Sequence, residues 1–164
     1  MNLENRFEEI YKTNYPKVKR LCMGYTNGDD TLSNDITQEI FIKVWENLGS
    51  FRNESNISTW IYRIAVNTCL LNLRKKKTFK ISKEIQDIES EAQSPDYDKE
   101  NKLKKLYNCI NLLKKDSKSI ILLELEGLPQ KEIAEIMGMS HEAVRVRIHR
   151  IKNELTKCIK HGNI

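Results

Sequence analysis

Apolar residues recur at the three- and four-residue spacing of an amphipathic helix along most of this chain. Between residues 32 and 48, for example, Ile36, Ile40 and Val44 fall on one stripe. No segment alternates cleanly as a half-buried strand would, and the 164 residues include only six glycines and three prolines to interrupt helices. The sequence therefore predicts an all-α fold.

The helical pattern is lost over residues 78–97, which are acidic and polar. We interpret this segment as a flexible linker between two small helical domains, residues 1–77 and residues 98–164. Within the first domain, Pro16 interrupts the pattern and is expected to begin a second helix, because proline is favoured in the first helical turn.

The cysteines and the apolar content limit the classes of protein that this chain can belong to. Cys22, Cys69, Cys109 and Cys158 lie far apart in apolar helical patterns, so we expect reduced, buried thiols rather than a metal site. No apolar run reaches the length of about 18 residues that a membrane span needs. We expect a cytoplasmic protein with no membrane span, no cofactor, no metal and no enzymatic activity, since no phosphate loop or catalytic constellation occurs.

Positive charge is concentrated in two parts of the chain. The net charge is +5, and basic blocks in residues 63–80 and 141–164 flank an acidic block in residues 81–100. This distribution suits a nucleic-acid-binding protein, although a net charge of this size also occurs in ordinary globular proteins.

Residues 128–150 have the pattern of a helix-turn-helix. The first helix carries the small residue Ala134, which allows a second helix to cross closely. Gly138 follows where the chain must turn with positive φ, and Ser140 is a good N-cap for the second helix. The inward stripe of that second helix is Val144, Ile148, Ile151 and Leu155.

The polar residues of the second helix are candidates for DNA contact. Residues in its first turns would reach base edges, and later arginines would hold phosphates. The candidates are Ser140, His141, Glu142, Arg145, Arg147, His149 and Arg150. The alternative is an ordinary helical hairpin with a solvated basic face.

Two further segments carry a resemblance to a known family. The segments are DITQEIFIKVW at 35–45 and FRNESNISTWIYRIAVN at 51–67. Together they resemble region 2 of bacterial sigma factors, and the helix-turn-helix occupies the position of region 4. Over residues 5–76 and 100–160 the chain is similar to the extracytoplasmic-function (ECF) group of the sigma-70 family. The resemblance implies a promoter-specificity subunit of RNA polymerase that directs transcription initiation.

The resemblance implies that the first segment binds core RNA polymerase, whose β′ clamp and β subunits are the expected partners. The implied contacts are Asp35, Gln38, Glu39, Phe41 and Trp45. Judged from the residues alone, this segment could also be a plain solvated helix face. An anti-sigma factor is a further possible partner that the family implies.

The second segment resembles the part of region 2 that melts the promoter and binds the −10 DNA strand. Capture of unpaired bases needs polar groups beside aromatic rings, together with basic residues for phosphates. The implied contacts are Arg52, Asn53, Glu54, Ser55, Asn56, Thr59, Trp60, Arg63, Asn67, Arg74, Lys75 and Lys76. Trp60 could instead be a core residue, and the basic run could be an ordinary solvated helix end.

The resemblance implies that the helix-turn-helix binds the −35 duplex of the promoter.

Two other functions remain open from the sequence. One is a helix-turn-helix regulator that acts without polymerase, which would leave residues 35–67 unexplained. The other is a sigma-like decoy that binds polymerase but initiates nothing.

Overall fold

The computed structural model describes residues 1–79 and 95–161, and these residues form helices joined by short turns and loops. The helices are α1 (Leu3–Tyr25), α2 (Asp30–Leu48), α3 (Ile57–Phe79), α4 (Pro95–Leu112), α5 (Lys115–Leu125), α6 (Gln130–Met137) and α7 (His141–His161). Within the described residues there is no strand, which confirms the all-α fold. Helix α3 extends into the predicted linker and α4 begins within it, while the rest of that linker lies outside the described residues.

Helices α1, α2 and α3 pack together as the first half of the molecule. Asp29 caps α2 by accepting a hydrogen bond from the backbone N–H of Leu32 at 3.0 Å. Asn56 accepts one from the backbone N–H of Ser58 at 3.1 Å, which satisfies a donor at the start of α3. The apolar stripe predicted on α2 faces the core, where Ile40 and other members are fully buried.

Helix α1 is continuous through Pro16, so the expectation of a new helix at this proline is wrong. Proline removes one backbone hydrogen-bond donor, but residues on both sides of it are buried in the same core. Ile10 precedes Pro16 and Val18 follows it, and both are buried. This shared burial keeps the two parts in one helix despite the lost hydrogen bond.

Helices α4 to α7 form the second half, and its helix-turn-helix has the predicted local structure. Gly138 adopts φ of 65° between α6 and α7. Ser140 caps α7, because its hydroxyl accepts a hydrogen bond from the backbone N–H of Ala143 at 3.1 Å. Ile133 and Val144 are fully buried between the two helices.

A disulfide joins Cys109 of α4 to Cys158 of α7, so the expectation of reduced thiols is wrong for this pair. The two helices pack side by side and bring the Cα atoms to 5.9 Å across a sequence separation of 49 residues. Such proximity depends on tertiary packing, which the spacing of the cysteines does not reveal. Cys22 and Cys69 are free and buried, with their sulfur atoms 3.7 Å apart.

The two halves contact each other in two places: α3 packs on α6, and α1 packs on α4 and α5. The second contact involves the last turn of α1. Tyr25 is buried, and its hydroxyl pairs with the hydroxyl of Ser119 on α5. Complete burial raises the pKa of Tyr25 well above its ordinary value, so the phenol stays neutral. At the rim, the Arg20 guanidinium donates to both carboxylate oxygens of Glu126 at 3.1 and 3.0 Å.

A substitution at Gly24 tests the packing of α1 on α5, because a methyl group added there would overlap the Leu122 side chain of α5. Alanine normally favours a helix over glycine by about 1 kcal/mol. Overpacking a buried contact costs about 1–3 kcal/mol, and Leu122 is itself buried. We expect Gly24→Ala to lower the free energy of unfolding in urea by about 1 kcal/mol, the middle of the range of about 0–2 kcal/mol that these two effects leave.

Gly49→Ala is the control, since nothing lies within 4 Å of the added carbon and the backbone there is right-handed helical. This variant should be as stable as the original chain. If Gly24→Ala were equally harmless, the close contact between α1 and α5 would be contradicted.

Candidate polymerase-binding and DNA-binding surfaces

An open groove with aromatic walls lies between α1 and α2. Its volume is about 600 Å³, and its lining residues are Glu4, Phe7, Tyr11, Gln38, Phe41, Ile42, Trp45 and Glu46. Three of its apolar side chains are exposed, with exposed fractions of 58% for Ile42, 40% for Trp45 and 38% for Tyr11. Acidic groups at Glu4 and Glu46 accompany this apolar surface.

Ring contacts fix the shape of this α1–α2 groove. Phe7 meets Trp45 edge-on with the ring centroids 5.2 Å apart, and Tyr11 meets Phe41 at 4.9 Å. Such edge-to-face pairs stabilise beyond the area that they bury. Phe41 itself is buried, so it supports the groove from below.

The groove includes three of the five residues predicted to bind polymerase, namely Gln38, Phe41 and Trp45. Asp35 is exposed on α2 but is not among the lining residues. Sequence reasoning missed Phe7 and Tyr11 of α1. Both followed the helical spacing of α1, which indicated only that they face the core.

Glu39 of α2 is not among the lining residues of the groove and is held by neighbouring side chains. Its carboxylate accepts a hydrogen bond from the Asn72 amide at 3.1 Å and pairs with the Lys43 ammonium at 3.3 Å. Burial opposes ionisation of this carboxyl, but the bonds from Asn72 and Lys43 outweigh that effect and hold its pKa below the usual value. Glu39 is therefore ionised and joins α2 to α3.

A second cavity lies where the loop between α2 and α3 meets α3. It has a volume of about 790 Å³, and its lining residues are Lys43, Asn47, Ser50, Phe51, Arg52, Glu54, Ser55, Trp60, Arg63, Ile64 and Glu135. Five of these were predicted to contact DNA, namely Arg52, Glu54, Ser55, Trp60 and Arg63. Phe51 stacks on Trp60 with centroids 4.8 Å apart. We call this space the Trp60 cavity.

The other residues predicted to contact the −10 DNA do not all lie in the Trp60 cavity. Thr59 is only 1% exposed, so the prediction that it contacts DNA is not supported by its position in the core. Trp60 is half-buried and serves both as packing and as a cavity wall. Asn67 is exposed on α3 outside the cavity lining.

The basic end of α3 continues away from the Trp60 cavity. Arg74 and Lys75 are exposed there, whereas the side chain of Lys76 lies outside the described part of the chain. Asn53 and Asn56 lie on the other side of the loop, in a separate cavity beside α1.

Helix α6 of the second half reaches the Trp60 cavity. Glu135 is one of its lining residues, and the Arg63 guanidinium donates a hydrogen bond to the backbone carbonyl of Glu135 at 3.3 Å. In this arrangement of the two halves, one wall of the cavity belongs to the helix-turn-helix.

The polar face of α7 is exposed along its first turns. The exposed members are Ser140, His141, Glu142, Arg145, Arg147, His149 and Arg150. The Arg145 guanidinium lies 3.6 Å from the Glu142 carboxylate, which is a weak, exposed ion pair. The structure thus presents every residue of the predicted DNA-facing set to solvent.

Comparison with known proteins identifies the family of this chain. Residues 10–79 match the family described as Sigma-70 region 2, and residues 103–155 match Sigma-70, region 4. An ECF RNA polymerase sigma-E factor of Haemophilus influenzae is 34% identical over 162 residues, covering 88% of this chain and 82% of the relative. RNA polymerase sigma factor YlaC of Bacillus subtilis is 30% identical, covering 96% of this chain and 94% of the relative.

The fold is also similar to solved structures. A sigma factor RpoE in complex with the anti-sigma factor NepR from Bartonella quintana has a TM-score of 0.73 and 20% identity, covering 95% of this chain and 98% of that one. The chain belongs to the ECF group of the sigma-70 family. It is a sigma factor of RNA polymerase, with core polymerase and promoter DNA as its partners.

No helix in residues 1–79 and 95–161 has the length and apolar character needed to cross a membrane. In the same residues, no three histidine, cysteine or acidic side chains come together as ligands for a metal ion would.

Proposed function

We propose that residues 1–77 bind core polymerase and the −10 DNA, and that residues 98–164 bind the −35 duplex. This division of binding roles is supported by the positions of three different surfaces on the two halves. The α1–α2 groove lies on the first half, the Trp60 cavity is lined by the first half except for Glu135 of α6, and the exposed basic face of α7 lies on the second half.

The α1–α2 groove is the proposed binding surface for polymerase. Exposed aromatic and aliphatic groups of this kind anchor protein interfaces when a partner buries them. Its acidic members, Glu4 and Glu46, favour a partner that carries basic side chains beside apolar ones. A helical segment of the β′ clamp with this composition fits an open groove between two helices.

The loop of residues 51–56 is the proposed reader of the melted −10 strand. The Phe51–Trp60 stack supplies an aromatic surface for an unpaired base, and Arg52 and Arg63 supply positive charge for phosphates. The chain itself carries out no catalysis in this proposal, because polymerase performs the chemistry. We place the process in the cytoplasm, and an anti-sigma factor that covers the groove would prevent polymerase binding.

The whole proposal is tested by transcription of genomic DNA with core polymerase, with and without this chain, followed by sequencing of RNA 5′ ends. We expect new start sites that share two upstream motifs at a fixed spacing. If the chain bound core polymerase but produced no new start sites, the assignment of the DNA-binding surfaces would be contradicted.

Ile42→Glu tests the α1–α2 groove. A carboxylate in the middle of an apolar interface must be desolvated, so we expect affinity for core polymerase to fall about 30-fold, as for a hot-spot residue worth about 2 kcal/mol. Fluorescence anisotropy of the labelled chain measures this affinity. Leu71→Glu is the matched control, because Leu71 is another exposed apolar residue on a helix of the first half, outside the groove lining. Equal losses in both variants would contradict the groove assignment.

Arg145→Ala tests the proposed −35 surface. If Arg145 pairs with a base edge, its loss should reduce discrimination at one base pair by about 5- to 150-fold, which corresponds to about 1–3 kcal/mol. Binding of holoenzyme to promoters varied across the −35 element measures this. Arg150→Ala, further along α7, should weaken all sequences alike and reduce the salt dependence, as loss of a phosphate contact does. A uniform loss with Arg145→Ala would show that Arg145 also contacts phosphate.

A further inference from the structure

A groove lies beside the Cys109–Cys158 disulfide, where the last turns of α4 and α7 pack against each other. Its volume is about 310 Å³, and we call it the α4–α7 groove. Both residues of the disulfide line this groove, so the cross-link borders an opening to solvent although each cysteine is at most 5% exposed. The other lining residues are Lys105, Asn108, Leu112, Ile159 and Lys160.

The charge of the α4–α7 groove favours an anionic ligand. Lys105 and Lys160 are exposed members of its wall, and none of its lining residues is acidic. Positive charge raises the local concentration of a small anion. It also favours the thiolate form of a cysteine, which is the form that attacks and leaves during thiol–disulfide exchange. The groove therefore suits a low-molecular-weight thiol that carries an anionic group.

The cross-link encloses the helix-turn-helix. Cys109 and Cys158 are 49 residues apart, and α5, α6 and the turn at Gly138 lie between them. A disulfide stabilises a fold mainly by restricting the unfolded chain, and the effect grows with the length of the closed loop. Small domains bury a smaller share of their surface and depend more on cross-links than large ones do. Opening this disulfide therefore lowers the stability of the half that carries α7.

The cytoplasmic location proposed above argues against a permanent cross-link. Small thiols and thiol reductases keep most cysteines of cytoplasmic proteins reduced, and a disulfide in such a protein is usually transient or redox-sensing. Cys22 and Cys69 are also neighbours, but both are free and buried, and neither lines the α4–α7 groove. The chain thus has one oxidised cysteine pair beside a groove and one reduced pair in the core.

We propose that the Cys109–Cys158 pair is a redox-modification site whose reactant is an anionic low-molecular-weight thiol. The small thiolate attacks one sulfur and forms a mixed disulfide, while the other cysteine leaves as a thiolate and takes up the proton that the small thiol lost. A second small thiol then displaces the first cysteine in the same way. One protein disulfide and two small thiols become two protein thiols and one small disulfide, and excess small disulfide reverses the reaction.

Reduction of this site controls how much of the second half is folded at a given temperature. The consequence for −35 binding rests on the proposed function, in which α7 binds the −35 duplex. The exchange reaction and the change in stability do not depend on that function.

The exchange is tested on the full chain with two small thiols of opposite charge, 2-mercaptoethanesulfonate and 2-aminoethanethiol. Rapid alkylation in denaturant followed by mass spectrometry counts the free thiols, which number two before reduction and four after it. At low ionic strength and equal thiolate concentration, we expect the anionic thiol to react about 10-fold faster. Equal rates with the two thiols would overturn the groove as the site of entry.

The double variant Lys105→Gln/Lys160→Gln should remove most of this preference for the anionic thiol, because it removes the positive charge of the groove. Lys104→Gln/Lys157→Gln is the matched control, since it makes the same changes on exposed residues of α4 and α7 that do not line the groove. The control should keep the preference. An equal loss in both double variants would contradict a specific role of the groove.

Thermal unfolding tests the effect on stability. We expect the Tm of the reduced chain to lie about 5–20 °C below that of the oxidised chain. The variant Cys109→Ser/Cys158→Ser cannot form this cross-link, so its Tm should not respond to the small thiol. An unchanged Tm on reduction of the original chain would overturn the stabilising role of the disulfide, whether or not the serine variant folds.

Promoter binding separates this proposal from the proposed function. The oxidised and the reduced chain are each assembled with core polymerase, and binding is measured at a temperature between their Tm values. We expect the reduced holoenzyme to lose its dependence on the −35 sequence. If both holoenzymes depend on that sequence equally, redox control of −35 binding is overturned. If even the oxidised holoenzyme ignores the −35 sequence, the proposed −35 role of α7 is overturned, while the exchange and Tm results stand.

Discussion

The burial of Tyr25 is the constraint on which the arrangement of the two halves depends. A phenol at the end of α1 enters the core completely, and its hydroxyl must find a partner there because an unpaired buried polar group is costly. Ser119 of α5 provides that partner, and Gly24 beside it leaves room for Leu122. The second half therefore packs on the first through a contact that combines close apolar packing with a satisfied hydrogen bond.

Helix α1 also contributes to several surfaces of the first half. Its first turns carry Arg6, which contacts the loop of residues 51–56, and Phe7 and Tyr11, which build the α1–α2 groove with residues of α2. Its last turn holds Tyr25 against α5. One uninterrupted helix therefore connects the α1–α2 groove, the loop of residues 51–56 and the contact with α5.

Local patterns in the sequence were enough to predict the elements but not their partners. Helical periodicity predicted the helices apart from the break expected at Pro16, and the turn at Gly138 with its cap at Ser140 follows from residue type alone. The groove depends on side chains from α1 meeting those of α2, and the Cys109–Cys158 disulfide depends on α4 lying beside α7. Neither pairing leaves a signal in residue spacing. Thr59 shows the same limit, because a motif position does not reveal which face of α3 is buried.

The contacts between the halves differ in kind. The difference bears on how DNA would enter the Trp60 cavity in the proposed function. Under Tyr25 and Leu122 the halves share buried apolar surface. Helix α3 also packs on α6, and at the Trp60 cavity the exposed Arg63 side chain donates a hydrogen bond to the Glu135 carbonyl. A hydrogen bond of this kind contributes only about 0.5–1.5 kcal/mol net, and a phosphate offers Arg63 a charged partner in its place. In the proposed function, a DNA strand that binds Arg63 therefore replaces this hydrogen bond, while the packing of α3 on α6 is a separate contact.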